Sequence, residues 1–257
     1  MPAEVLLQLT DVTKRFGGLV AVDGLTFGVE RGQIKAVIGP NGAGKTTAFN
    51  LITGVYALDE GEIEVAGKRA TRLPSHEVAG LGVARTFQNV QLFGNMSILE
   101  NVMVGAHARA RAGLLSASLR LPAMRLEEVA LAERARECLR LVGLGKLPPE
   151  TAAPSLAFGQ QRLLEVARAL AAEPLLVLLD EPAAGLSTAE TARLGELVES
   201  IRELGITVLL VDHDMDLVMQ ISDEVVVLDH GVKIAEGAPR EVQRDPGVIA
   251  AYLGEEP

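Results

Sequence analysis

Two stretches of this sequence carry residue types whose spacing suits chemistry on phosphates. Gly39-Pro40-Asn41-Gly42-Ala43-Gly44-Lys45-Thr46 matches the pattern G-x-x-x-x-G-K-[ST] in full and follows the apolar run Ile34–Ile38. The glycines let the backbone curl until successive N–H groups point at one anion, and the helix predicted to open at Lys45 adds the positive end of its dipole. Lys45 supplies a mobile cation to β/γ-phosphates, and the Thr46 hydroxyl is placed to ligate Mg²⁺. In the second stretch, the aliphatic run 175–179 ends in Asp180-Glu181-Pro182. Two carboxylates then stand at the carboxyl end of a buried strand, beside the phosphate loop. Position gives them different work: Asp180 holds Mg²⁺ directly or through water, and Glu181 orients and deprotonates the attacking water.

Three further features are ordered around this pair. His213 follows the apolar run 206–211 and Asp212, where an imidazole can reach a γ-phosphate or simply be a surface residue. Gln88, in Arg85-Thr86-Phe87-Gln88, falls between the sheet and a helical insertion, where its amide touches both water and metal or is solvated. Leu156-Ala157-Phe158-Gly159-Gln160-Gln161 is a glycine-glutamine turn just before the 175–179 strand. Its N–H groups at a helix start suit an anion, and a mere helix cap is the alternative.

The elements that must hold these residues alternate between β and α. Residues 5–9 and 25–29 read as short strands around Phe16-Gly17-Gly18, and 61–67 alternates polar and apolar like a half-exposed strand and hairpin. Residues 99–144 turn helical, clearest over 126–142, with no strong strand. There Cys138 shares an apolar stripe with Leu131, Ala135, Leu139 and Val142 and reads as a buried hydrophobe. Past Gln160 come a helix with Leu163, Leu164, Val166, Ala167 and Leu170 inward, the strand 175–179, a helix over 188–204 and the strand 206–211. A hairpin over 225–228 and 232–236 and a short helix near Val242 close the chain. The pattern is α/β, with a mostly parallel sheet, an N-terminal antiparallel β subdomain and a helical subdomain insertion, and with the phosphate loop it resembles a P-loop NTPase core. One domain over 1–257 is expected, with 1–88 and 160–257 as catalytic core and 89–159 as helical subdomain.

Composition narrows the function. With 257 residues, 48% of them hydrophobic, the chain can bury a substantial core, and a net charge of −10 argues against a nucleic-acid surface. The longest apolar runs are strand-length, far short of the ~20 residues that span a bilayer. Met1-Pro2-Ala3-Glu4 lacks the regions of a secretory signal, and a lone cysteine cannot pair internally, so a reducing cytoplasm is expected.

The ordered set resembles the ATP-binding cassette family, the ATPase subunits of ABC transporters, over nearly the whole chain. The phosphate loop, Gln88, the 156–161 turn, Asp180-Glu181 and His213 stand in the family's order and approximate spacing. The resemblance implies ATP and Mg²⁺ as cofactors. Gly39, Pro40, Asn41, Gly42, Ala43, Gly44, Lys45, Thr46 and the adjoining Thr47 surround the phosphates; Thr46, Gln88 and Asp180 face the metal; Lys45, Gln88, Glu181 and His213 form the catalytic set. Two cassettes would sandwich two ATP molecules, with Gly159 and Gln160 of one reaching the γ-phosphate held by the other. Phe16, 23 positions before Gly39, resembles the aromatic that stacks on adenine, and an edge residue of the β layer is the other reading. Two departures stand out: Ala157 replaces the usual serine of the turn, leaving that contact to backbone donors, and Ser187 stands where many members have aspartate.

Gly82-Val83-Ala84-Arg85-Thr86-Phe87-Gln88, the 156–161 turn, Asp180-Glu181-Pro182-Ala183-Ala184-Gly185-Leu186 and the ending Ala251-Tyr252-Leu253-Gly254 are most similar to the larger cassette of bacterial branched-chain amino-acid importers. That branch implies transmembrane permease subunits, a second cassette in a homo- or heterodimer, an extracytoplasmic solute-binding protein acting indirectly, and a peripheral place on the cytoplasmic face of the inner membrane. Nucleic acid is not an expected partner. Segment 105–125, with Arg109, Arg111, Arg120, Arg125 and no acid, fits a membrane subunit, anionic headgroups or a solvated helix face. Related cassettes for other solutes or lipopolysaccharide share parts of the pattern. A soluble cassette ATPase acting on nucleic acid or ribosomes is the rival, opposed by the single phosphate loop, the acidic balance and the lack of an extended heptad. A regulator without catalysis is disfavoured by Asp180, Glu181 and His213.

Overall fold

A computed structural model describes residues 4–87, 91–107 and 122–253. Gln88, Arg109, Arg111, Arg120, Gly254 and the side chain of Arg125 lie outside the described residues. Contacts divide the chain into two compact units, one formed by Met1–Arg85 with Leu175–Pro257 and the other by Thr86–Pro174.

In the first unit, β1 (Val5–Phe16) and β2 (Leu19–Glu30) form an antiparallel hairpin, extended by β4 (Glu60–Val65) and β5 (Lys68–Arg69) into a sheet of order β2-β1-β4-β5. β1 and β2 run well past the expected 5–9 and 25–29, because cross-strand pairing carries the ladder through the mostly polar stretch Thr10–Phe16, whose register shifts leave no regular apolar alternation. The second sheet has the order β10-β9-β3-β8-β7-β6. Its members β3 (Ile34–Ile38), β6 (Val83–Arg85), β7 (Leu176–Asp180), β8 (Thr207–Val211) and β9 (Glu224–Asp229) are parallel, and β10 (Val232–Gly237) is an antiparallel edge. β3, β7 and β8 are buried at every position, as strands covered on both faces must be. The short strand β6 and the helix α2 (Ser75–Gly80) carry no strong period and were outside the sequence expectation.

Helix α1 (Lys45–Ile52) buries Ala48, Phe49, Leu51 and Ile52. Phe49 and Ile52 join Leu9, Leu25 and Ile63 of the first sheet and Val37, Leu178 and Leu209 of the second in one apolar core. The antiparallel sheet therefore shares its core with the parallel one. Register places Ala36 opposite Leu210 and Asp180 opposite Val211, so the carboxyl ends of β3, β8 and β7 lie side by side. The phosphate loop, His213 and Asp180-Glu181 follow these three ends, which is how distant stretches of chain become one site. The unit is completed by α6 (Thr188–Glu203), α7 (Met215–Ile221), and two short closing helices, Pro239–Val242 and Pro246–Leu253.

The second unit contains α3 (Ile98–His107), α4 (Pro122–Leu141) and α5 (Phe158–Ala171). The sequence expectation placed α5 with the catalytic core, but Leu164, Ala167 and Leu170 are buried and α5 packs on α3 and α4. A 3.6-residue period shows which helix face is apolar without showing what covers it. Leu163 is only half-buried. α3 and α5 approach so closely at Gly105 that a β-carbon there would lie 2.0 Å from the Arg168 carbonyl oxygen.

Cys138 is buried on α4 with Ala135 and Leu139, beside the buried Val142 just past the helix end, and burial pushes its thiol pKa up. At pH 8 the native protein is expected to react with thiol reagents at least about tenfold more slowly than the denatured chain, since only an accessible thiolate attacks. Equal rates in the two states would contradict this packing. Among the described residues, no helix is long and apolar enough to cross a membrane.

Candidate functional site

The phosphate loop is shaped by close approach as much as by φ. Gly39 has φ +147°, and a β-carbon there would lie 2.0 Å from the Leu228 carbonyl oxygen on β9. At Gly44, φ is +99° and a β-carbon would fall 2.5 Å from the Ala21 carbonyl oxygen on β2. A side chain at either position would push the loop off its strands. The turn between β9 and β10 braces the loop from behind: Gly231 N–H donates to Ala43 O at 3.1 Å, and Asp23 N–H to Gly231 O at 2.9 Å. Lys45 is 6% exposed and its Nζ donates to Gly39 O and Pro40 O at 2.5 and 2.8 Å. The loop is thus wrapped on its own ammonium, and an arriving phosphate competes with carbonyl oxygens for it. Gly44 offers α1 no side-chain cap and the first turn has no acid, so no carboxylate repels an anion at this helix start. Asn41, Gly42 and Thr46 are exposed; Thr47 is half-buried.

Asp180 ends β7 nearly buried, its Oδ2 accepting from Arg85 Nη2 at 2.7 Å. Arg85 Nη1 also donates to Asn50 Oδ1 and Thr53 Oγ1 at 2.7 and 3.2 Å, and the guanidinium stands 5.6 Å from the Phe49 ring. One arginine therefore fastens the strand carrying the acidic pair to the helix that follows the phosphate loop. Sequence reasoning missed it, because its partners lie 35 and 95 residues away and no local spacing marks them. Thr46 and Asp180 offer hydroxyl and carboxylate oxygens, the hard donors Mg²⁺ prefers. Among the described residues no group of three or more His, Cys, Asp or Glu could hold a metal. Gln88, the third expected donor, lies outside the described residues.

Glu181 adopts φ +48°, a left-handed conformation that costs a non-glycine residue about 1 kcal/mol or more and persists only where neighbours enforce it. Its N–H donates to Val211 O at 2.7 Å, and its Oε1 lies 2.9 Å from Nε2 of His213. Against an ionised carboxylate only Nε2–H makes that bond. The Glu181 side chain is 12% exposed and that of His213 is half-exposed, so the pair opens to solvent on one side. His213, read from the sequence as reaching a γ-phosphate or as a surface residue, meets Glu181 here.

Asp212, beside His213, is buried, with Oδ2 accepting from Ala183 N–H and Oδ1 from Asp214 N–H, both at 2.9 Å. Burial pushes its pKa up, while the N–H groups of Asp214, Ala183 and His213 oppose the rise. Asp214 in turn caps α7 by accepting from Leu217 N–H at 3.0 Å.

Phe16 stands 43% exposed at the end of β1, with the Tyr56 ring 5.3 Å away edge-on and Lys14 Nζ 5.3 Å from its centroid. Ser187 donates its hydroxyl to Glu190 Oε2 at 2.7 Å, so its departure from aspartate serves the start of α6.

In the second unit the glycine-glutamine turn opens α5. Ala157 brings no side-chain oxygen; the cap is made by Gln160, whose Oε1 accepts from Ala157 N–H at 3.2 Å. Gly159 and Gln160 are half-buried, and Phe158 is exposed, with Arg162 5.4 Å from its ring. Arg162 Nη1 donates to Phe87 O at 3.0 Å, Glu165 Oε1 accepts from Gln91 N–H at 2.7 Å, and Arg168 Nη1 donates to Gln91 O at 2.5 Å. These three residues of α5 grip the chain on both sides of residues 88–90. Burial pushes Glu165 up, opposed by Gln91 N–H and the two arginines. The sequence reading saw the apolar face of this helix and passed over its charged one.

Residues 22–184 match the family model described as ABC transporter. The chain belongs to the ABC transporter family. Members of this family bind and hydrolyse ATP, and the cassette is an ATPase with their P-loop α/β fold. Its residues 232–257 match a second model, described as branched-chain amino acid ATP-binding cassette transporter. The cassette is 45% identical to the high-affinity branched-chain amino acid transport ATP-binding protein BraF of Pseudomonas aeruginosa, over 97% of this chain and 98% of that one. It is 41% identical to LivG of Escherichia coli K12, which has the same description, over 98% of this chain and 99% of that one. Among solved structures, a nucleotide-free ATP-binding cassette from an ABC transporter superposes with TM-score 0.85 at 32% identity, covering 98% of this chain and 100% of that one.

Proposed function

We propose that the cassette powers the import of branched-chain amino acids. The observation that carries this reading is likeness to branched-chain amino acid transport ATP-binding proteins across nearly the whole chain, including the C-terminal segment 232–257 that has its own family model. In the proposed cycle the backbone of Gly39–Thr47 and the Lys45 ammonium cradle the β/γ-phosphates, and Phe16 stacks on adenine. Thr46, Asp180 and Gln88 are assigned to Mg²⁺, which when bound supplies charge to the phosphates. Asp180, one oxygen of which is paired with Arg85, would hold the ion directly or through water. Glu181 takes the proton of the attacking water, and the Nε2–H of His213 keeps its carboxylate aimed. Gly159 and Gln160 serve the nucleotide of a second cassette, with backbone N–H groups replacing the missing serine hydroxyl at Ala157. Residues 1–257 act as one ATPase domain, with Thr86–Pro174 as its helical part.

The proposed assembly pairs this cassette with a second one beneath two transmembrane permease subunits, at the cytoplasmic face of the membrane, and an extracytoplasmic binding protein delivers the solute. Purifying the tagged chain from membranes in mild detergent tests the assembly. Two integral membrane subunits and a second cassette are expected to co-purify. A chain recovered without membrane subunits, or with ribosomes, would overturn the proposal.

A further inference from the structure

Three groups of buried charge are not consumed by this cycle: Lys35 with Glu224 and Glu236 under β3, the Arg162–Glu165–Arg168 row on α5, and Asp212. The first ties strands together and touches none of the proposed catalytic residues. The second grips a segment whose centre lies outside the described residues. Asp212 differs, because one of its oxygens holds the loop just after the proposed base and the other holds the residue that follows His213.

We propose that Asp212 is a positioning residue for hydrolysis, clasping the loop that carries Glu181 to the loop that carries His213 so that the two side chains stay in contact. The inference rests on the reading of Glu181 as the base. Ala183, two residues after Glu181, and Asp214, the residue following His213, donate their N–H groups to opposite oxygens of one carboxylate. Ala183 and Asp212 are 29 residues apart in sequence, so nothing local would bring their loops together. Glu181 sits between two anchors, its own N–H on Val211 O and the Ala183 N–H on Asp212, and these hold it at φ +48°. Without the second anchor the chain is free to relax toward a common conformation and swing the carboxylate away from His213 Nε2. Asp212 is also an expensive residue to keep here. It is 4% exposed, and among the described residues no ion pair reaches it, so its burial is offset by backbone N–H groups alone. A residue kept only for packing would carry no charge.

Two substitutions test the clasp in the assembled transporter. Asp212→Asn keeps the shape but sets an NH₂ group against one of the two N–H donors, and Asp212→Ser reaches at most one of them. In either variant kcat for ATP is expected to fall roughly 10- to 100-fold, the scale of a misplaced catalytic group. KM for ATP and Kd for ADP are expected to stay within about twofold, because the phosphate loop is untouched. A kcat within about threefold of the native value in a folded variant would overturn the proposal. So would a loss of nucleotide affinity matching the loss of kcat, or failure of both variants to fold, since either would make Asp212 a residue of general structure. Glu181→Gln measured alongside separates the two layers. If that variant hydrolyses at the native rate, the reading beneath has failed; if it is inactive while both Asp212 variants are normal, only the clasp has failed.

Discussion

Glu181→Gln is expected to lower the ATPase rate by about 10²- to 10⁴-fold, the range a positioned general base contributes. The substitution preserves size and leaves an oxygen to face His213 Nε2, now 2.9 Å from Glu181 Oε1, so the site should keep its shape. What disappears is the proton acceptor. Nucleotide binding depends on the phosphate loop, whose glycines pack on Leu228 and Ala21 and whose lysine is held by Gly39 and Pro40, none of which involves Glu181. The variant should therefore bind ATP normally and stall after binding. If the γ-phosphate is the contact that favours a closed pair of cassettes, an uncleaved ATP keeps that state populated. Phosphate release and size-exclusion chromatography with ATP read both effects. Native-rate hydrolysis would refute the assignment of the base, and absence of any ATP-dependent dimer would refute the sandwich.

Arg85→Met is expected to destabilise the protein by about 3–5 kcal/mol, the scale for removing one partner of a buried ion pair. Asp180 would remain at 2% exposure without its guanidinium, and Asn50 and Thr53 would lose their donor. The charge, more than the lost packing, sets this magnitude, so a second change should relieve it. Replacing Asp180 as well, in Arg85→Met with Asp180→Leu, is expected to recover most of the stability while leaving hydrolysis absent. Denaturant unfolding of the two variants measures this. A loss below about 1 kcal/mol in Arg85→Met, or no recovery in the double variant, would show that the pair contributes little.

The parts of the site that were legible in the sequence are those whose chemistry is contiguous. Eight residues from Gly39 to Thr46 specify a backbone shape, and Asp180-Glu181 follows a strand that nothing polar interrupts. The residues that hold these parts together were not legible. Arg85 and Asp212 act through partners 95 and 29 residues away, at positions where a surface charge would give the same local pattern. The same limit explains the boundary of the helical unit: the apolar stripe of α5 was plain, and that α3 and α4 cover it was not. The departures were more informative. Ala157 marked a turn without its hydroxyl, and the fold gives that cap to the Gln160 side chain. Ser187 marked a missing carboxylate, and its hydroxyl is engaged with Glu190.

ATP-driven uptake of labelled leucine into proteoliposomes tests the central claim most directly, using the assembled transporter with its solute-binding protein. The native cassette should drive uptake that requires both ATP and binding protein, and Glu181→Gln should abolish it in a complex that still assembles. Uptake that survives Glu181→Gln, or native ATP hydrolysis with no leucine entering, would contradict the account.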